Sequence, residues 1–221
     1  MSASHSSAPA ALLLDLARGA LRLTPGALIC DHRFDSATLP QGWHIETGSW
    51  TPTVDGLVGS IEGDSAAVLW SGDSYPDDVA MVFEATSMPG HHSDANGFFR
   101  AAGSIYGDGL CEAWIVGTAG WYAHDHGLEH HPTGPTWRVP GQPLVPEQTV
   151  KVAAGYRNGV VFLWKDGEVL LERDDPHATA AVPRDRLGLG TWDSAVRFTR
   201  LSVYDLSLCP DLAPSPDEGS P

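Results

Sequence analysis

Residues Val150 to Arg173 read VKVAAGYRNGVVFLWKDGEVLLER. Val150, Val152, Ala154 and Tyr156 alternate with other residues, the period of a strand with one buried face. Asn158-Gly159 and Asp166-Gly167 are dipeptides that close tight hairpins, because both residue types tolerate positive φ. Val160 to Lys165 returns after the first turn and Glu168 to Arg173 after the second. Three strands joined by two such turns form an antiparallel meander.

The same pattern extends outward. Upstream, Trp43 to Ile45, Ser49 to Val54 and Leu57 to Ile61 read as short strands, the last two joined at Asp55-Gly56. Val68 to Trp70 and Val79 to Thr86 follow, and Arg186 to Thr191 and Arg197 to Leu206 close the domain. With no long helical pattern among them, these segments describe an all-β fold, a two-sheet antiparallel β-sandwich over residues 27–207. Residues 1–26 form an N-terminal extension. Met1 to Pro9 is Ser/Ala-rich and expected to be disordered. Ala10 to Leu23, with leucines at 12, 13, 16 and 21, is expected as a short amphipathic helix ended by Pro25-Gly26. Residues 208–221, rich in Pro, Asp, Ser and Gly, read as a disordered tail.

Composition narrows the function. A formal charge of −15 argues against nucleic acid and against anionic membrane surfaces as partners. The three cysteines, Cys30, Cys111 and Cys209, make neither a disulfide framework nor a metal knuckle. No apolar run approaches the roughly 20 residues of a membrane span, and the N-terminus lacks a basic region before a long apolar core. A cytoplasmic location is the simplest expectation. No cofactor motif is present, and none is expected.

Chemistry concentrates in Gly90 to Pro132, which holds six of the ten histidines. Asp94, Asn96, Arg100, Glu112, Trp114, Trp121 and Glu129 lie in the same stretch. Strand alternation assigns faces there. Val79, Met81, Phe83 and Ala85 turn inward and Glu84 outward. Gly97, Phe99 and Ala101 oppose Asn96, Phe98 and Arg100. Cys111, Ala113 and Ile115 read as core, with Glu112 and Trp114 facing away. Tyr122, His124 and His126 share a face. Leu187, Leu189 and Thr191 pack inward, while Gly188, Gly190 and Trp192 face out. Phe83, Phe99, Ile115, Val152 and Leu189 are therefore expected between the sheets. One outer face would collect Asn96, Arg100, Glu112, Trp114, His124 and His126 in a cup, with Glu84 and Trp192 at its edge. The Cys111/Ala113/Ile115 phase should hold the register, because flipping it would bury Glu112 unpaired.

Several short motifs resemble the YesU-like family. They are Phe34-Asp35, Gly42-Trp43, Asp55-Gly56-Leu57, Leu69-Trp70, Pro76-Asp77-Asp78-Val79, Phe83-Glu84-Ala85, Asn96, Phe98-Phe99 and Ala101. Towards the end Asp166-Gly167, Asp174-Asp175-Pro176, Arg186-Leu187-Gly188, Thr191-Trp192, Arg197 and Val203-Tyr204 continue the match. The similarity runs from about Asp31 to Leu206. It implies a concanavalin A-like jelly roll of the lectin/glucanase type, a fold shared by glycan-active proteins, and brings no catalytic motif. The Glu-Xaa-Asp-Xaa-Xaa-Glu pattern of retaining glucanases is absent, which argues against an ordinary laminarinase-type hydrolase.

The residues and the resemblance together point to a carbohydrate-active protein, read first as an enzyme that cleaves a glycoside in a concave site. A hydrolase would use two carboxylates flanking the bond. Glu84 and Glu112 are the candidates, with His124 and His126 as proton carriers. A lyase would hold a uronate carboxylate through Asn96 or Arg100 and take a proton with His124 or Tyr122. Trp114, Trp121 and Trp192 would stack on sugar rings in either case, and equally in a non-catalytic lectin-like module. A non-sugar natural product in the same cup is a further alternative. The expected partner is a small saccharide or glycoside. His124-Xaa-His126 has the spacing of two metal ligands on one strand face, yet no HExxH or Cys-Xaa-Xaa-Cys accompanies it, so a metal is left open. No Gly-Xaa-Ser-Xaa-Gly elbow suggests a serine nucleophile.

Overall fold

A computed structural model describes residues 11–91, 94–105, 112–121, 124–177 and 183–210. Seventeen strands are present among them, with two short 3-10 turns. The meander of the opening stretch is there: β13 (Thr149–Arg157), β14 (Val160–Lys165) and β15 (Glu168–Asp174) pair antiparallel in sequence. Beside them lie β8 (Val79–Ser87), β17 (Ala195–Asp205), β6 (Gly56–Ser60) and β5 (Ser49–Thr53), while β3 (Leu28–Arg33) pairs with β17. The second sheet has seven strands. In spatial order they are β12 (Thr136–Val139), β11 (Asp125–His131), β10 (Glu112–Trp121), β9 (Ala95–Ala102), β16 (Arg186–Trp192), β7 (Ala66–Trp70) and β4 (His44–Thr47). The two antiparallel sheets pack face to face as a concanavalin A-like jelly roll.

The layer between the sheets holds Phe83, Phe99, Val152, Leu189, Phe198 and Leu201, each fully buried. Ile115 is not among them. It lies on the outer face of the seven-stranded sheet with Phe98, Trp70 and Val68, and Trp114 and Val116 take the inward positions. The expected phase is thus reversed over residues 113–116, while Cys111 lies outside the described residues. Both phases of that strand are apolar, so periodicity alone does not choose between them. The cost of burying Glu112 unpaired does not arise, because Glu112 sits at the rim and pairs with Arg184 at 2.6 and 2.9 Å.

A second departure arises in β9. Trp114 stands opposite Phe99, yet Glu112 stands opposite Ala102. On the other side Gly188 faces Phe98 while Arg186 faces Ala101. Both neighbours therefore count one residue fewer than β9, and the extra residue common to both is Arg100, with φ 47°. This is a β-bulge. It turns Arg100 inward instead of onto the cup. There its guanidinium meets Asp175 at 3.0 Å and Asp77 at 3.3 Å and lies 3.5 Å from the ring centroid of Tyr156.

The N-terminal segment is a hairpin rather than a helix: β1 (Leu12–Leu16) pairs with β2 (Gly19–Leu23). Leu14, Leu21 and Leu23 point to one side and pack on Val82, Phe162, Trp164 and Tyr204, on the outer surface of the larger sheet. Arg18 ties the turn to Asp174 at 2.7 Å. Residues 12–23 therefore belong to the packed body as a third layer. Tail residues beyond 210 and the first ten lie outside the described residues. No described helix is long and apolar enough to cross a membrane.

Removing one partner of a buried ion pair typically costs about 3–5 kcal/mol. Arg100→Ala should lose that much in urea unfolding, whereas Glu84→Gln on the outer surface should stay within about 0.5 kcal/mol of wild type. An Arg100→Ala protein as stable as wild type would contradict the inward placement.

Candidate functional site

The seven-stranded sheet has one face on the core and one turned outward. Part of that outward face is closed. Val68, Trp70, Ala101 and Ala113 are fully buried there, with Ile105 packed over them. The segment after β9 is latched in place from two sides. Glu46 accepts hydrogen bonds from both the Trp70 indole and the Ser104 hydroxyl. Arg186 donates to the Gly103 carbonyl at 2.5 Å, approaches His44 Nε2 at 2.8 Å and lies 4.7 Å over the Trp70 ring.

The other part is open, a cleft of about 710 Å³ lined by Asp64, Ala66, Asp94, Asn96, Phe98, Ile105, Ile115, Gly120, Trp121, Glu129, His131, Thr136 and Trp192. Its floor is shaped by missing side chains. A Cβ on Gly127 would come within 2.4 Å of the Trp121 ring, and one on Gly120 within 2.0 Å of Asp94 Cγ. A Cβ on Gly117 would meet Trp121 Nε1 at 2.4 Å and Asn96 Oδ1 at 2.7 Å. These glycines are strand residues that let the indole and two polar groups lie on the sheet. Trp192, 43% exposed, stands at the opposite wall.

Asp94 and Asn96 are the polar centre of this floor, 3% and 4% exposed. The Asn96 amide and the Trp192 backbone N–H both donate to the Asp94 carboxyl. Asp94 Oδ1 and Asn96 Oδ1 remain buried with no hydrogen-bond partner. Burial dominates those two hydrogen bonds and pushes the Asp94 carboxyl up to about 7. Across the cleft, Glu129 and His131 approach each other at 3.6 Å, two positions apart on β11.

Of the residues expected in one cup or at its edge, Asn96 and Trp192 line this cleft. The others do not. Glu84 is on the far side of the molecule, on β8, next to Lys151 at 3.8 Å and Thr199 at 3.4 Å. Trp114 is in the interior, stacked 5.4 Å from Trp137, its indole N–H donating to Asp175 at 3.3 Å. His124 occupies the turn between β10 and β11 with φ 76°, and His126 faces inward, its Nδ1 accepting the Ala119 N–H at 3.1 Å. His124 lies in this turn and His126 in β11, so the two histidines do not share a face. Tyr122 lies outside the described residues. No group of three His, Cys, Asp or Glu side chains among the described residues is arranged to hold a metal.

Arg100, Glu112 and Trp114 do converge, at one end of the sandwich. Asp175 joins Arg100 to Trp114, and Arg184 joins Glu112 to the His177 carbonyl. His130 stacks on His177 at 4.3 Å with the rings nearly parallel. Burial and then the neighbouring His177 hold the His130 imidazole below its ordinary range. These contacts fasten the connection from β15 to β16 across the two sheets. Sequence reasoning named Asp94 and Glu129 within the histidine-rich stretch without placing them. The signal for Asp94 was the run of glycines at 117, 120 and 127, which marked space for something large.

No known family model matches the sequence, and no curated protein matches it. Solved structures resemble it in fold. A Bacillus subtilis protein of unknown function with a galectin-like fold superposes with a TM-score of 0.66 at 16% identity, over 81% of this chain and 96% of that one. The carbohydrate binding module CBM66 from Bacillus subtilis gives 0.58 at 15%, over 74% and 95%. A Bacillus licheniformis β-glucanase gives 0.58 at 11%, over 79% and 97%.

The Asp94 carboxyl sets a testable pH dependence. Its folded value, near 7, lies above the ordinary carboxylate value, so the folded state keeps a proton that the unfolded chain releases. That stabilisation is complete at low pH and is lost as pH rises towards and through 7. Asp94→Asn should therefore gain stability over wild type at pH 8 but not at pH 4, by about 2–4 kcal/mol given about 1.4 kcal/mol per pH unit of displacement. Denaturant melts of both proteins at the two pH values check it, and a difference independent of pH would refute the buried, protonated carboxyl.

Proposed function

We propose that this chain is a carbohydrate-active protein that seats a saccharide or glycoside in the cleft between Trp121 and Trp192. The observation that carries this reading is the pair of buried acceptors without partners, Asp94 Oδ1 and Asn96 Oδ1, on a floor walled by two indoles. Buried polar atoms are almost always satisfied, and an unsatisfied one costs about 1–3 kcal/mol. A ligand that supplies two donors removes that cost. Sugar hydroxyls are donors spaced along a ring, and the apolar face of a pyranose matches an indole. The fold is compatible, since a carbohydrate binding module and a β-glucanase share it. A relation to the YesU-like proteins is part of the same proposal and rests on the short motifs given above.

Glycoside cleavage is a second reading, and Asp94 is the observation in its favour. A carboxyl that keeps its proton to about pH 7 is equipped to protonate a leaving oxygen. Glu129 would be the second carboxylate on the same cleft. In this reading Asp94 and Glu129 take the roles first sought in Glu84 and Glu112.

A glycan array followed by thermal-shift titration of the hits tests the binding reading. Trp192→Ala should weaken the response by about tenfold or more, in line with roughly 1–3 kcal/mol for losing an aromatic anchor, while Glu84→Gln should not change it. Turnover of a bound glycoside that Asp94→Asn abolishes would establish the enzyme. A response to apolar natural products and to no sugar would overturn the carbohydrate reading.

A further inference from the structure

We infer that the sugar this cleft selects carries a protonated amine, that is, an amino sugar whose nitrogen is not acetylated. The inference rests on the saccharide reading above and specifies its ligand.

Its first support is a charge asymmetry. Between Phe34 and Trp137 the sequence contains one Lys or Arg, namely Arg100. The bulge in β9 removes that cation to the interior, where Asp175 and Asp77 hold it. Of the nearby cations, Arg138 pairs with Asp125 at 3.1 Å, and Arg186 is spent on Gly103 and His44 over the closed part of the face. The cleft itself is lined by three carboxyl groups, Asp64, Asp94 and Glu129, and no Lys or Arg stands among the lining residues. A uronate or sulfated sugar would bring negative charge into that field with no guanidinium or ammonium to receive it.

The second support is independent of the acidic residues as a group. Asp94 and Asn96, which line the floor of the cleft, are each at least nine-tenths buried, and each keeps a buried oxygen without a partner. The Asn96 amide donor is already given to Asp94, so Asn96 Oδ1 can only accept, and Asp94 Oδ1 accepts once its carboxyl has released its proton. An ammonium has three donors on one atom and a full positive charge. It satisfies both oxygens at once and replaces the proton that Asp94 keeps in the empty cleft. That proton leaves to solvent as the cation arrives, so the charge within the floor stays balanced. The flanking indoles add a favourable surface for a cation. A hydroxyl fills one acceptor without relieving the charge, and an acetamido group brings a single N–H with a carbonyl that these oxygens repel.

The test compares three matched probes by isothermal titration calorimetry at pH 7: a glucosamine oligosaccharide, its fully N-acetylated counterpart and the glucose oligosaccharide of the same linkage. The free amine should bind about tenfold or more tightly than either of the others, as expected for a charge-assisted contact against a neutral one. Asp94→Asn, checked for folding by circular dichroism, should lose most of that preference for the free amine. Equal affinity for all three probes, or a preference that survives Asp94→Asn, overturns the amine inference and leaves the saccharide reading standing. Binding of other glycans on the array with none of these three does the same. Silence from every sugar overturns both.

Discussion

A single guanidinium placed between two sheets fixes much of this molecule. Arg100 could be buried there only with partners, and it has three: Asp175, Asp77 and the face of Tyr156. Its inward turn needs the extra residue in β9, and that residue sets the phase of the strand on either side. Before it, Asn96 and Phe98 face the cleft. After it, Ala101 returns to the same outward face as part of the closed patch. Asp175, in turn, lies at the start of the connection that crosses from one sheet to the other. The same ion pair therefore anchors that crossing and leaves the cleft without a cation of its own.

The outward face of the smaller sheet is divided by a second set of contacts. Glu46 and Arg186 hold residues 103–105 down over Trp70, so that half the face behaves as core. What stays open is narrow, aromatic and acidic. Its depth comes from glycines and its polarity from two residues, Asp94 and Asn96. The consequence for chemistry is a small number of buried acceptors, each with more weight than it would have on an exposed sheet.

How far the sequence reveals this depends on the signal each element carries. The meander was legible because its two turns need residues that accept positive φ and its strands alternate. Inward positions such as Met81, Phe83, Leu187 and Leu189 follow from the same alternation and are buried as expected. The bulge was not legible: one inserted residue reverses a face without leaving a compositional mark. The face of Trp114 could not be read either, because Ala113 and Ile115 are as apolar as Trp114 and Val116. Gly117 and Gly120 are strand residues, their lack of side chain serving Trp121 and Asp94, so the strand runs on to Trp121 and His124 falls in the turn after it. Leucines from 12 to 23 fit a short helix and a hairpin alike, and the surface waiting for them on the larger sheet decides for the hairpin.

That hairpin imposes an order of events on synthesis. Its own pairing is local and can form as soon as residues 12–23 are made. Its apolar side has no place to go, however, because the surface it covers is assembled from Ala80 and Val82, from Ala153, Phe162 and Trp164, and from Tyr204 and Leu206. The residue that receives Arg18, Asp174, comes late as well. Leu14, Leu21 and Leu23 must therefore wait, uncovered, until nearly the whole sandwich exists. An early segment that docks last is an exposed apolar surface on the ribosome and a seal on the finished product.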